Sequence, residues 1–285
     1  MIKKLMFSMV ILFLLLGSIF FYGHRSATKY PDNSPKAFLE SESSADGKVV
    51  VCIGDSITHG RVSFNYVDEL SAMYRSKNYS FINAGINTEL AYNVRQRLDE
   101  IIRCNPDFIT ILIGTNDVLA TLNEKNAARF AKVMNLPVTP DKKGYTENLI
   151  EIINRLKQET HAKIAVLSLP PVTEAKAHAG YQRAIEYSAA IKNIARQKNV
   201  TYLALNESMV ESIQKGTPKE NANYKGGENT VMYQAIFSHY ILRKSWDNIA
   251  DDNGFLFLTD NIHLNKRGAG IVVQLINGFL ENESL

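Results

Sequence analysis

From Lys48 onward the chain alternates between short, near-continuous runs of Val, Ile and Leu and longer stretches with one apolar stripe at helical spacing. A strand that is apolar at every position offers no face to water, so both of its faces must be covered. "KVVVCI", "YSFINAG", "DFITILIGTND", "KIAVLSLPP" and "VTYLAL" read as five such strands. Between them, Phe64, Val67, Leu70 and Tyr74 keep one helical face. So do Leu90, Val94, Leu98 and Ile101, and again Leu149, Ile152, Ile153 and Leu156. A helix around Ile185 to Ala195 separates the last two strands, and "KRGAGIVVQLINGFL" closes the chain as another. Strands alternating with helices in this order predict a three-layer α/β/α domain over residues 48–285, built on a five-stranded parallel sheet.

In an open sheet of this kind, ligands bind beyond the carboxyl ends of the strands. Two connections, Val118 to Gly144 and Gly216 to Asn253, are longer than a crossover needs and are expected to shape a ligand site or lid. Within the second, Tyr233, Phe237, Tyr240 and Trp246 stand near helical spacing. A lid, a carbohydrate-stacking face and a plain packed helix all fit that pattern.

Residues 1–25 differ from the body. Leu5 to Tyr22 is an uncharged run of 18 residues behind Lys3 and Lys4. As a helix it would reach about 27 Å, close to the hydrocarbon thickness of a bilayer. An apolar N-terminal membrane helix is the expectation. A cleaved signal peptide is the alternative, although the run exceeds the usual h-region of about 7–15 residues. The two lysines favour a cytoplasmic N-terminus, with the body outside the cytoplasm, or secreted if the segment is cleaved. Residues 26–47, rich in Ser, Pro and charge, read as a flexible tether.

The net charge of +3 comes from Lys3, Lys4 and Arg25; the remainder holds 29 basic and 29 acidic residues. A neutral body without a basic stripe argues against nucleic acid as a partner. The two cysteines, Cys52 and Cys104, make no disulfide framework and read as small buried apolar residues. The sequence has no H-E-x-x-H and no Cys/His cluster, so no metal site is expected. It has neither a P-loop nor a G-x-G-x-x-G, and no cofactor is expected.

The strand ends carry the chemistry. The first ends in Gly54-Asp55-Ser56, the second in "NAG" with Gly85, the third in "GTND" with Asn116. "LTDNIHLN", just before the last helix, supplies Asp260 and His263. Singly, each fits a turn or a helix cap. Together they set a hydroxyl, an imidazole and a carboxylate at one edge of one sheet. A serine hydroxyl needs a base to take its proton, and His serves at neutral pH. Asp260, three residues before His263, is placed to fix its tautomer. His59 reads as a bystander; His161, His178 and His239 have no matching acid or Ser.

"IGDSIT" and "DNIHLNKRG" resemble the first and last sequence blocks of the SGNH (GDSL) hydrolases, over about Lys48 to the end. The resemblance implies a flavodoxin-like α/β/α fold and a triad of Ser56, Asp260 and His263. It also implies an oxyanion hole from the Ser56 amide, the Gly85 amide and the Asn116 side chain. "GINTE", beginning at Gly85, departs from the family pattern in lacking a second Gly. The expected function is a serine esterase acting through an acyl-enzyme at Ser56, on a small or medium acyl group carried by a lipid or simple alcohol. De-O-acetylation of a cell-envelope glycan, acyl transfer by the same triad, and an inactive binding module of the same fold are the alternatives.

Overall fold

The computed structural model describes residues 17–19, 21–41, 47–215 and 228–283. Five parallel strands, β1 (Lys48–Gly54), β2 (Tyr79–Gly85), β3 (Phe108–Leu112), β4 (Lys163–Leu167) and β5 (Thr201–Leu203), lie in the order β2-β1-β3-β4-β5. This is the flavodoxin-like order. Register is continuous across the centre: Gly54, the last residue of β1, lies opposite Gly85 on one side and Leu112 on the other. Val50 to Ile53 are wholly buried, as a strand covered on both faces requires. Helices Tyr66–Met73 and Leu205–Lys215 pack with Lys266–Glu283, while Ala91–Gln96, Leu98–Arg103 and Ala179–Lys198 pack with or beside Lys142–Glu159.

The stripe Leu90 to Ile101, expected as one helix, is two. They meet at Arg97, whose guanidinium reaches back to the Ala84 carbonyl (2.7 Å) and to Glu89 (2.8 Å). Cys52 and Cys104 are separate buried thiols.

Residues 26–41, the described part of the expected tether apart from Gly47, are not a plain flexible tether. Pro35–Glu40 form a helix with Ser34 as N-cap and Pro35 in the first turn, where its missing N–H costs nothing. Phe38 and Leu39 pack against the main core, and the Asn33 carbonyl accepts the Asn83 amide at the edge strand β2 (2.9 Å). Two apolar residues and one strand-like bond were enough to dock the segment.

Residues 21–28 are helical, and Ala27 is buried against Val62 and Ile236. Most of the run Leu5 to Tyr22 lies outside the described residues. Among those described, no helix is long and apolar enough to cross a membrane. The long connections hold helices of their own: Glu124–Val133 in the first, Glu228–Tyr240 and Trp246–Asn253 in the second.

Candidate active site

Ser56 opens a single helical turn, Ser56–His59, directly after β1. Asp55 caps that turn, its Oδ1 accepting the Ile57 amide at 3.0 Å. Gly60 ends it with φ +73°, a conformation that suits glycine. As the first residue of its turn, Ser56 has an N–H with no carbonyl one turn back to accept it. The buried strand thus ends in small residues that turn one hydroxyl and one free amide toward the sheet's carboxyl edge.

His263 arrives from the other end of the chain. Its Nε2 lies 2.9 Å from Ser56 Oγ, and its Nδ1 lies 2.7 Å from Asp260 Oδ2. The second carboxylate oxygen of Asp260 accepts the amides of Ile262 (2.7 Å) and His263 (2.8 Å). All three side chains are buried. Burial works to lower the His263 pKa, but the charge and hydrogen bond of Asp260, with Asp55 behind them, outweigh it and raise it above 6.5. The loop bearing this pair is tied at both ends. Thr259 N–H donates to the His263 carbonyl (2.7 Å), and Phe64 N–H to that of Leu264 (2.8 Å).

Asn116 stands one residue into the helix Thr115–Ala120, beyond β3. Its Nδ2 gives one hydrogen to the Glu89 carbonyl at 2.9 Å, which leaves the second to point elsewhere. Glu89 is itself buried and paired with Arg97 at 2.7 Å, so the amide is held by a charged anchor. Ser56, Asn116 and His263 all line one cavity of about 380 Å³.

Gly85 does not line it. Its N–H donates instead to Asn83 Oδ1 (3.0 Å), and a Cβ there would sit 2.2 Å from the His59 nitrogen. The expectation of an oxyanion donor at Gly85 is therefore corrected: this glycine is needed because the Ser56 turn packs directly on its backbone. Three residues on, in the loop that lacks the second glycine, Thr88 holds φ +70° and lines the cavity. A β-branched residue resists that conformation. The missing glycine was the signal in the sequence.

Glu174 was also missed. From the loop after β4, its carboxylate accepts the amides of Leu256 (2.8 Å), Phe257 (2.7 Å) and Leu258 (3.0 Å), two residues ahead of Asp260. Neighbouring Thr173, at φ +62°, donates its N–H to the Asn261 carbonyl at 2.7 Å. A lone acid in a loop carries no local pattern that would single it out.

Of the other histidines, His24 lines the same cavity, whereas His59, His178 and His239 do not. His59 is buried, and that burial, with Arg61 nearby, pushes its pKa down to about 4. His178 caps the helix Ala179–Lys198 and His239 stacks on Trp246. Trp246 and Tyr240 pack inward, whereas Tyr233 and Phe237 are half-exposed at the cavity.

The fold is similar to that of an acetylxylan esterase from Geobacillus stearothermophilus, at 17% identity over 82% of this chain and 94% of that one, with a TM-score of 0.56. It is similar also to an alpha/beta hydrolase enzyme from the metagenome of Lake Arreo, Spain, at 17% identity, 82% and 95% coverage and a TM-score of 0.54. Among curated proteins, none matches this sequence. Residues 52–271 match the model of the GDSL-like lipase/acylhydrolase family, a span that takes in Ser56, Asn116, Asp260 and His263. The chain belongs to that family.

Proposed function

We propose that the protein hydrolyses carboxylic esters through an acyl-enzyme at Ser56. The observation that carries this reading is the continuous chain of contacts from Ser56 Oγ through the His263 ring to Asp260, at 2.9 and 2.7 Å. Ser56 Oγ attacks the ester carbonyl carbon while its proton passes to His263 Nε2. Asp260 accepts from Nδ1 and stabilises the imidazolium. The oxyanion is met by the Ser56 amide and the second hydrogen of the Asn116 side chain. On collapse, the alcohol leaves with the proton from Nε2. Water, deprotonated by the same nitrogen, then releases the acid and restores Ser56. A fluorophosphonate probe should label the wild type and spare Ser56→Ala; equal labelling of both would end the proposal.

We infer further that residues 5–22 anchor the protein in a membrane, with the catalytic domain outside the cytoplasm. The uncharged run behind Lys3 and Lys4 supports this. The full chain should stay with membranes through an alkaline wash and be shaved by external protease. Release by the wash, or protection from the protease, would overturn it.

A further inference from the structure

The cavity above Ser56 is larger and more apolar than an acetyl group requires. Its volume of about 380 Å³ falls in the range of whole small-molecule sites. Its floor is polar, with Ser56, Asn116 and His263. Much of its apolar wall comes from three segments that lie outside the sheet and its main covering helices. Ile19 and, from residues 21–28, Ala27 form one part, Glu124–Val133 gives Phe130 and Val133, and Glu228–Tyr240 gives Met232 and Ile236. Ala27, Val62 and Ile236 close on one another as a separate apolar cluster, away from the main core. The N-terminal segment is thus part of the binding wall, and the Asn87 side chain clips it in place by donating to the Ala27 carbonyl (3.0 Å).

We propose that this cavity is an acyl-chain site, completed by Ile19 and residues 21–28, and that the substrate is an ester of a fatty acyl group well beyond acetyl. The proposal rests on the esterase reading above. With the ester carbonyl at Ser56, the alkyl chain runs along Ile236, Ala27 and Phe130, and the alcohol faces the mouth. The half-exposed rings of Tyr233 and Phe237 stand at that mouth.

The test uses the full chain and a series of nitrophenyl esters from acetate to decanoate. Each methylene that enters an apolar wall should raise kcat/KM about fourfold until the cavity is full. Ala27→Trp and Met232→Trp fill the cavity from two different elements, and each should lower the octanoate-to-acetate ratio at least about tenfold. Fluorophosphonate labelling of each variant reports whether Ser56 is still reactive. A wild type that prefers acetate would overturn the acyl site and leave the esterase standing; so would a ratio unmoved in a labelled variant. A wild type that neither labels nor cleaves any ester would instead overturn the esterase. If a variant fails to fold, the wild-type chain-length profile decides alone. Offering the octanoyl group as a soluble ester and as a monoacylglycerol in phosphatidylcholine vesicles tells a free ester from a membrane lipid as its source.

Discussion

Asp260 grips His263 at two points: one carboxylate oxygen takes the ring Nδ1–H at 2.7 Å, the other the backbone amide at 2.8 Å. The same side chain therefore fixes both where the base sits and which of its nitrogens carries the proton. With Nδ1 committed as donor, Nε2 is left as acceptor toward Ser56 Oγ.

Asp260→Asn keeps the size and the backbone-facing oxygen but offers an NH₂ to the ring. His263 then holds its proton on the wrong nitrogen, and kcat should fall by about 10³–10⁴. The pH profile should move as well. The wild-type base must be neutral to act, and its pKa is raised, so kcat/KM should climb through a midpoint above 6.5. Without the Asp260 charge, the residual activity should climb through a lower midpoint. An unchanged midpoint would deny Asp260 its electrostatic role.

Asp55 lies behind the nucleophile with its carboxyl pushed up to about 7, chiefly by burial and partly relieved by the Ile57 amide. The unfolded chain loses this proton near 3.8 and the folded one near 7, so stability is full below 3.8 and declines as pH rises through that window. Asp55→Asn cannot ionise and still offers Ile57 a capping oxygen. Its melting temperature relative to wild type should rise between about pH 4 and about pH 8. A difference that stays flat across that interval would show that the carboxyl does not titrate there.

The sheet was legible because its central strands are apolar at nearly every position, as a parallel sheet covered on both faces requires. The long helix Lys142–Glu159 was legible because Leu149, Ile152, Ile153 and Leu156 recur on one face and are all buried. Ser56 and Asn116 were legible as short blocks at strand ends, and Asp260 and His263 as one before the last helix; the structure brings Ser56, Asn116 and His263 to one cavity, with Asp260 on the far nitrogen of the His263 ring. Gly85 was misread because a glycine needed for close packing and one needed beside a substrate look identical in a sequence. The helix Pro35–Glu40 hid in a polar segment, since six residues are too few to show a period. The cavity walls were illegible for another reason. They unite Ile19 and residues 21–28 with 124–133 and 228–240, and nothing local ties these together.

Glu174 touches neither Ser56 nor His263, yet it gathers three amides of the loop that delivers the acid and the base. Glu174→Gln can no longer accept with both side-chain heteroatoms, and at least one buried N–H loses its partner at a cost of about 1–3 kcal/mol. The melting temperature should drop, and kcat should fall with KM nearly unchanged, because the loop shifts while the apolar walls remain. Glu174→Asp, shorter but still a carboxylate, should recover part of the loss. Intact kcat in a destabilised Glu174→Gln would reduce this residue to a structural brace.

Asn116 and Gly85 separate rate from stability. Asn116→Ala removes a donor aimed from the end of β3, and kcat should fall by about 10²–10³ while the protein stays folded, less stable by about 1–3 kcal/mol for the Glu89 carbonyl left unpaired. The anchor that orients Asn116, the Glu89–Arg97 pair, stays in place. Gly85→Ala does the reverse. Its methyl would meet the His59 nitrogen at 2.2 Å and the Thr58 carbonyl carbon at 2.7 Å, both backbone atoms that cannot step aside singly. The Ser56 turn must then move as a body, so this variant should lose stability first and activity only as a consequence. Side-by-side melting and single-turnover acylation decide the matter. A Gly85→Ala protein that melts normally but has lost its acylation rate would return Gly85 to the oxyanion hole.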